Sequence, residues 1–148
     1  MSVNSSLNPV TSTRSSQNRA MKEIISSPQV PKPAGPYSPG IRANGLVFIS
    51  GQIPVDPQTG ELVGGSIQEQ TARVLENLKT VLQAAGLSLD DVVKTTVFLQ
   101  NLSDFGQMNE VYAKYFSANP PARSTIEVSR LPRDCKIEVE AIALERTA

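Results

Sequence analysis

Two segments near the C-terminus, "ARSTIEVSR" and "KIEVEAIALE", set an arginine, Arg123, and two glutamates, Glu138 and Glu140, inside β-type alternation. A guanidinium offers a two-pronged fork that fits a carboxylate or phosphate, and a glutamate can orient a water or move a proton. The plainer reading is that Arg123, Glu127, Glu138 and Glu140 are solvated or cross-strand charges, worth about 0.2 to 1 kcal/mol each. Register bears on the choice. If the strands form a simple hairpin turned near Arg133, Glu138 lies opposite about Val128, and Arg123 sits roughly 15 Å further along at ~3.3 Å per residue. One chain would then not bring both groups to a small ligand, so either the strands pair otherwise or a neighbouring subunit completes the site.

Three further residues could serve a ligand. In "GPYSPG", proline and glycine hold Tyr37 on a stiff scaffold, where its hydroxyl could donate to a ligand or its ring could pack on the sheet. Gly51 in "ISGQIP" just follows a strand, where a backbone can approach a ligand closely or the strand can bulge. Asn109 in "QMNEVY" sits beside an apolar helical stripe, as a binding group or a helix-side hydrogen bond.

Composition narrows the chemistry. The 148 residues suit one domain. Fourteen basic and fourteen acidic residues balance, so no overall field draws the chain to nucleic acid or anionic lipid, although a local basic patch stays open. There is no histidine, which excludes serine triads and histidine-ligated zinc. Cys135 is the sole cysteine; it permits no intrachain disulfide, points to a reducing, cytoplasmic setting, and without a histidine to activate it reads as an ordinary small side chain. No apolar run reaches the roughly 18 to 20 residues of a membrane span.

The elements that must position these residues follow from local signals. Residues 1–20, rich in serine, threonine and asparagine, are expected to be a disordered extension or tail ahead of Met21, a weak transit peptide being the alternative. "MKEIIS" reads as a short strand and the proline-rich stretch after it as a loop. Asn44-Gly45 hinges a hairpin. Ser66 and Glu69 have capping-box spacing ahead of a helix that buries Ile67, Val74, Leu75, Leu78, Val81, Leu82 and Ala85 and stops at Gly86. "DVVKTTVFLQ" predicts a strand with Val93, Thr95, Val97 and Leu99 on one side. A second helix is predicted from about Ser103 to Ser117, with a stripe of Phe105, Met108, Tyr112, Tyr115 and Phe116.

Two last strands, Ala122 to Ser129 and Lys136 to Leu144, give the order β-β-β-α-β-α-β-β: an α+β sheet with two helices on one face. Alternation places Arg123, Thr125, Glu127 and Ser129 together, and this polar set is expected to face away from the helices. The other sheet face is left bare, to be wetted or covered by another chain.

"GPYSPG", "LVFISGQIPVDPQTGEL", "ENLKTVLQAAGLSLDDVVKTTVFLQNLSDFGQMNEVYAKYF", "PPARSTIEVSRLP" and "KIEVEAIA", in that order from about Met21 to Arg146, resemble the RidA (YjgF-type) family of reactive-intermediate deaminases. The resemblance implies a chorismate-mutase-like α+β fold over residues 21–148, and a homotrimer with sheets lining a barrel and clefts between subunits. It implies hydrolysis of enamines and imines such as 2-aminoacrylate, 2-iminopropanoate and 2-iminobutanoate to 2-oxo acids and ammonia, without cofactor or metal. Carried over by residue, Arg123 would hold the substrate carboxylate and Glu138 would position the attacking water. Tyr37, Gly51 and Asn109 would line the cleft. Thr125 stands where the bacterial deaminases often have cysteine, which argues against thiol chemistry there and leaves the backbone of residue 125 as the contact. The alternatives are a ribonuclease or translation inhibitor, and a non-catalytic carboxylate-binding or chaperone-like module.

Overall fold

The computed structural model describes residues 21–146, so the expected disordered extension over residues 1–20 lies outside the described residues. Six strands and two helices run in the order β1 (Glu23–Ile25), β2 (Gly40–Ala43), β3 (Leu46–Gln52), α1 (Ile67–Ala84), β4 (Val92–Leu99), α2 (Phe105–Tyr115), β5 (Ala122–Glu127) and β6 (Ile137–Leu144). They form one mixed sheet in the order β1-β2-β3-β6-β4-β5. Among the described residues no helix is long and apolar enough to cross a membrane.

Local chemistry fixes the element ends. Asn44 and Gly45 take φ of 57° and 80°, the left-handed pair that lets a two-residue hairpin follow the strand twist. The Ser66 hydroxyl accepts from the Glu69 backbone N–H at 3.1 Å, which caps α1. At its other end Gly86 adopts φ 76° and the Leu87 N–H returns to the Leu82 carbonyl at 2.8 Å, closing the helix in a Schellman-type turn.

The core lies between the helices and one face of the sheet. Val74, Leu75, Leu78, Val81 and Leu82 of α1 are fully buried against Val47, Val97, Leu99, Ile137 and Val139, each large side chain contributing about 1.5 to 3 kcal/mol. Small Ala141 and Ala143 continue the helix-facing row of β6. Val93 departs from the predicted stripe: it is 44% exposed, because a register irregularity between Val92 and Lys94 shifts the alternation before Thr95.

Among the described residues nothing covers the opposite face, which is apolar on its β1-β2-β3 side. Register aligns Ile24, Ile41, Phe48 and Ile142 in one row across four strands, with Leu46 and Leu144 paired beside it. Ile24, Phe48 and Leu144 are 61%, 42% and 55% exposed, and Ile126 on β5 is exposed apart from this patch.

Two buried amides on α1 tie the connecting loops down. Asn77 donates to the carbonyls of Ile53 and Val55, at 3.2 and 2.8 Å, and accepts from Arg73 Nε at 3.1 Å. Gln70, two turns earlier on the same face, donates to Val63 O at 3.1 Å and accepts from the Lys136 N–H at 2.8 Å. One guanidinium does the same for the chain ends: Arg42 bonds the Ala85 carbonyl at the end of α1 and pairs with Glu23 of β1 and Glu145 after β6.

Replacing Asn77 by leucine keeps the volume but leaves the Val55 carbonyl without its amide donor and the Ile53 carbonyl with the Val55 N–H alone, so it should destabilise the fold by roughly 1 to 3 kcal/mol. Urea unfolding of the variant against the parent chain measures this; a change below about 0.5 kcal/mol would show that the loop carbonyls find other partners.

Candidate functional site

The site residues fall into two groups. The first is built on β5. Arg123 is level with Thr95 of the parallel neighbour β4, and its guanidinium carbon lies 4.6 Å from the ring centre of Tyr112 and 5.5 Å from that of Phe105. Both rings belong to α2, so Arg123 faces the helix layer. The Tyr112 hydroxyl is fixed in turn to Thr95 Oγ1 at 2.8 Å, and burial raises its pKa above the usual phenol value. A cation over aromatic faces gains about 0.5 to 2 kcal/mol, and the rings restrict a side chain that would otherwise sweep widely. Among the described residues Arg123 forms no ion pair.

This corrects the expectation that Arg123, Thr125 and Glu127 face away from the helices. Alternation sorts residues into two faces without saying which face is covered, and β5 is an edge strand, so its helix-side positions border a rim and tolerate polar groups. Ser124 and Ile126 take the open face, where Lys94 Nζ donates to the Ser124 hydroxyl at 3.2 Å. Thr125 lies two residues beyond Arg123 on the same face, and its hydroxyl oxygen is buried with no hydrogen-bond partner among the described residues. Asn109 is four residues after Phe105 and three before Tyr112, which puts it half-buried on the same side of α2 as the two rings. Glu127 is a structural charge whose carboxylate accepts from the Leu102 N–H at 2.9 Å.

The second group centres on Glu138 of β6. Its neighbours Ile137 and Val139 enter the core, so Glu138 points to the open face. Burial, and secondarily the charge of Glu140, push its carboxyl above the ordinary glutamic range. Gly51 lies within β3, at a register irregularity between Ile49 and Gln52 rather than beyond the strand end, and a Cβ there would stand 2.6 Å from Glu138 Oε2. Glycine therefore makes room for the Glu138 carboxylate, and the bulge read from the sequence is present. Tyr37 is 52% exposed, and its hydroxyl accepts from the Ala34 N–H at 3.2 Å, which leaves its own proton free to donate. Tyr37, Pro39, Gly51 and Gln52 line a cavity of about 280 Å³.

The two strands do not pair as a simple hairpin, because β4 lies between β6 and β5. Arg123 is level with Thr95 and Glu138 with Phe98, three residues and two strand spacings apart. At ~3.3 Å per residue and ~4.8 Å per strand that is roughly 14 Å, with the two side chains on opposite faces of the sheet. Within one chain these are two half-sites. Cys135 joins neither: it is buried, its thiol donates to the Ile137 carbonyl at 3.4 Å, and burial pushes its pKa up to about 11.

That Phe105 and Tyr112 hold the Arg123 cation was hidden in the sequence by the apolar stripe they complete. The Gln70 and Asn77 amides did leave a signal, as two polar side chains seven residues apart on a buried helical face.

The model of the endoribonuclease L-PSP family matches residues 27–145. A "RutC family protein" of Pyrococcus horikoshii is 58% identical, over 83% of this chain and 98% of that protein. The "Reactive Intermediate Deaminase A, chloroplastic" of Arabidopsis thaliana is 47% identical, over 91% of this chain and 72% of that protein. The crystal structure of E. coli TdcF with bound serine superposes with a TM-score of 0.81 at 47% identity, covering 84% of this chain and all of that one.

The raised Glu138 pKa has a thermodynamic sign. The fold disfavours the charged carboxylate, so the penalty is absent below the unfolded value of about 4.5 and develops as pH rises through the higher folded value. Glu138→Gln should therefore raise the melting temperature at pH 7, and the gain should shrink toward zero by pH 4. A melting temperature lowered by the same amount at both pH values would mean that the carboxylate is a structural partner.

Proposed function

This chain belongs to the endoribonuclease L-PSP family, and we propose that within it the protein is a deaminase that hydrolyses 2-imino acids and their enamine tautomers to 2-oxo acids and ammonia. The observation that carries the reading is Arg123: a guanidinium held between two rings, without a carboxylate of its own, beside an unpartnered buried hydroxyl. Such a group is prepared for an anionic ligand rather than for the fold. The naming of the Arabidopsis relative as a reactive intermediate deaminase supports the same reading.

The chemistry asks little of the protein. An enamine such as 2-aminoacrylate gains a proton at its terminal carbon and loses one from nitrogen to become 2-iminopropanoate. Water adds to the imine carbon; its oxygen forms the new bond as one proton leaves, and the C=N π pair moves to nitrogen. The resulting carbinolamine expels ammonia as its hydroxyl proton departs and C=O forms. Glu138 takes a proton from the attacking water and passes it to the imine nitrogen, then takes the hydroxyl proton and passes it to the departing amine, and a carboxyl with a raised pKa is suited to these transfers. Arg123 clamps the α-carboxylate in a bidentate pair, while Tyr37, Gly51, Asn109 and Thr125 bound the cleft. 2-Iminopropanoate and 2-iminobutanoate are the smallest substrates of this kind. An RNA-cleaving role would need acid-base groups that a chain without histidine does not offer in their commonest form.

The half-site geometry extends the proposal to assembly. Arg123 and Glu138 act together when Glu138 of one copy approaches Arg123 of the next, in a homotrimer whose open sheet faces meet in a central barrel. The uncovered row of Ile24, Ile41, Phe48 and Ile142 supports this, since exposed apolar patches of that kind mark interaction surfaces.

Arg123→Ala should lower kcat/KM for 2-iminobutanoate at least 100-fold, measured as 2-oxo acid formation in a coupled amino-acid-oxidase assay, with native mass unchanged. Wild-type turnover in that variant refutes the clamp. Glu138→Gln should lower kcat more than it weakens 2-oxo acid binding, and the parent's acid limb should have a midpoint above the usual carboxylate range. For the assembly, sedimentation should give three times the chain mass, and Phe48→Asp should reduce both that mass and imine turnover.

A further inference from the structure

The cavity lined by Tyr37 and Gly51 is also lined by two cations, Lys32 and Arg133. Its volume of about 280 Å³, against ~30 Å³ for a water molecule, far exceeds what the methyl or ethyl tail of the smallest imines would fill. The Arg133 backbone sits at φ 58° and that of Asp134 at φ 56°, two successive non-glycine residues in the left-handed region, at a cost of about 1 to 2 kcal/mol each. Strain of this kind persists where a side chain is being aimed. Arg133 crosses to the 53–63 loop, donating through one terminal nitrogen to the Gly60 carbonyl at 2.9 Å. The neighbouring Asp134 pairs with Arg130 instead, at 3.2 Å. Lys32 is held between Pro31 and Pro33, both of which also line the cavity.

Among the described residues neither Lys32 nor Arg133 has a carboxylate within 4.0 Å. The one acid lining the cavity, Asp56, uses Oδ1 to accept the Gln58 N–H at 2.8 Å within its own turn. The cavity lining thus carries two cations against one carboxylate.

We propose that Lys32 and Arg133 form a second anion subsite, which extends the enzyme's substrates to 2-imino acids with a carboxylate on the side chain. The inference rests on the deaminase reading above. With the α-carboxylate on Arg123 of the neighbouring copy and the imine carbon at Glu138, a side chain that passes Gly51 into the cavity carries its terminal carboxylate toward these two cations.

The test compares 2-iminoglutarate with 2-iminobutanoate, each generated in place by an amino-acid oxidase, on the parent chain and the Lys32→Gln/Arg133→Gln double variant. The double variant should lose about ten-fold or more in kcat/KM on 2-iminoglutarate and stay within two-fold on 2-iminobutanoate, and the parent's advantage should shrink as salt is raised. Equal losses on both substrates, or a parent that accelerates only 2-iminobutanoate, overturn the subsite. If the parent accelerates neither, the deaminase reading fails, and calorimetry then decides the subsite separately. Tighter binding of 2-oxoglutarate than of 2-oxobutanoate, lost in the double variant, upholds it; equal binding by parent and variant removes it.

Discussion

The last strand of the chain occupies the middle of the sheet. β6 hydrogen-bonds to β3 on one side and to β4 on the other, so the hairpin half and the β4-β5 half join only through the C-terminal segment. Its helix-facing row of Ile137, Val139, Ala141 and Ala143 runs along the centre of the core, and Gln70 fixes the residue just before it. Because β4 takes the place beside β6 that a hairpin would have given to β5, β5 lies at the rim and runs parallel to β4. The separation of Arg123 from Glu138, and the edge setting in which a cation rests over Tyr112 and Phe105, both descend from that insertion.

A single layer of helices leaves the sheet with two unlike surfaces. The covered one is closed by aliphatic packing. The other presents isoleucine, phenylalanine and leucine at its β1-β2-β3 side and charged or hydroxyl groups toward β4 and β5, where Glu140 opposes Thr96 and Lys94 reaches Ser124. The desolvated carboxyl of Glu138 stands at the margin between these regions. The polar residues proposed to carry chemistry are thus placed where the fold is least able to satisfy them by itself, as expected when consistency between local and global preferences is relaxed at functional positions.

Features written in neighbouring residues were legible in the sequence. Asn44-Gly45 specified its turn, Ser66 and Glu69 their cap, Gly86 the helix end, and the apolar spacing of α1 its buried face. The strand order was legible as a succession but not as a pairing, since parallel β5 and inserted β6 depend on contacts between distant segments. The facing of β5 was misread for a related reason: strict alternation is symmetrical, and only the position of α2 shows that Arg123 lies on the covered side. Val93 followed the same logic, one irregular residue being enough to move it off its predicted face. Of the site, Arg123, Glu138, Tyr37 and Gly51 were identified by type. The rings beneath Arg123 were not, because an aromatic that packs and an aromatic that holds a cation occupy the same positions in a helical pattern.

Arg42 gathers the first strand, the end of α1 and the segment after β6 onto one guanidinium. An end strand of three residues would ordinarily fray independently of the far terminus. Here the loss of either carboxylate partner loosens the other's anchor and frees a helix carbonyl, so both ends of the described chain should open as one cooperative unit, with amide protection along β1 rising and falling together with that at the close of β6.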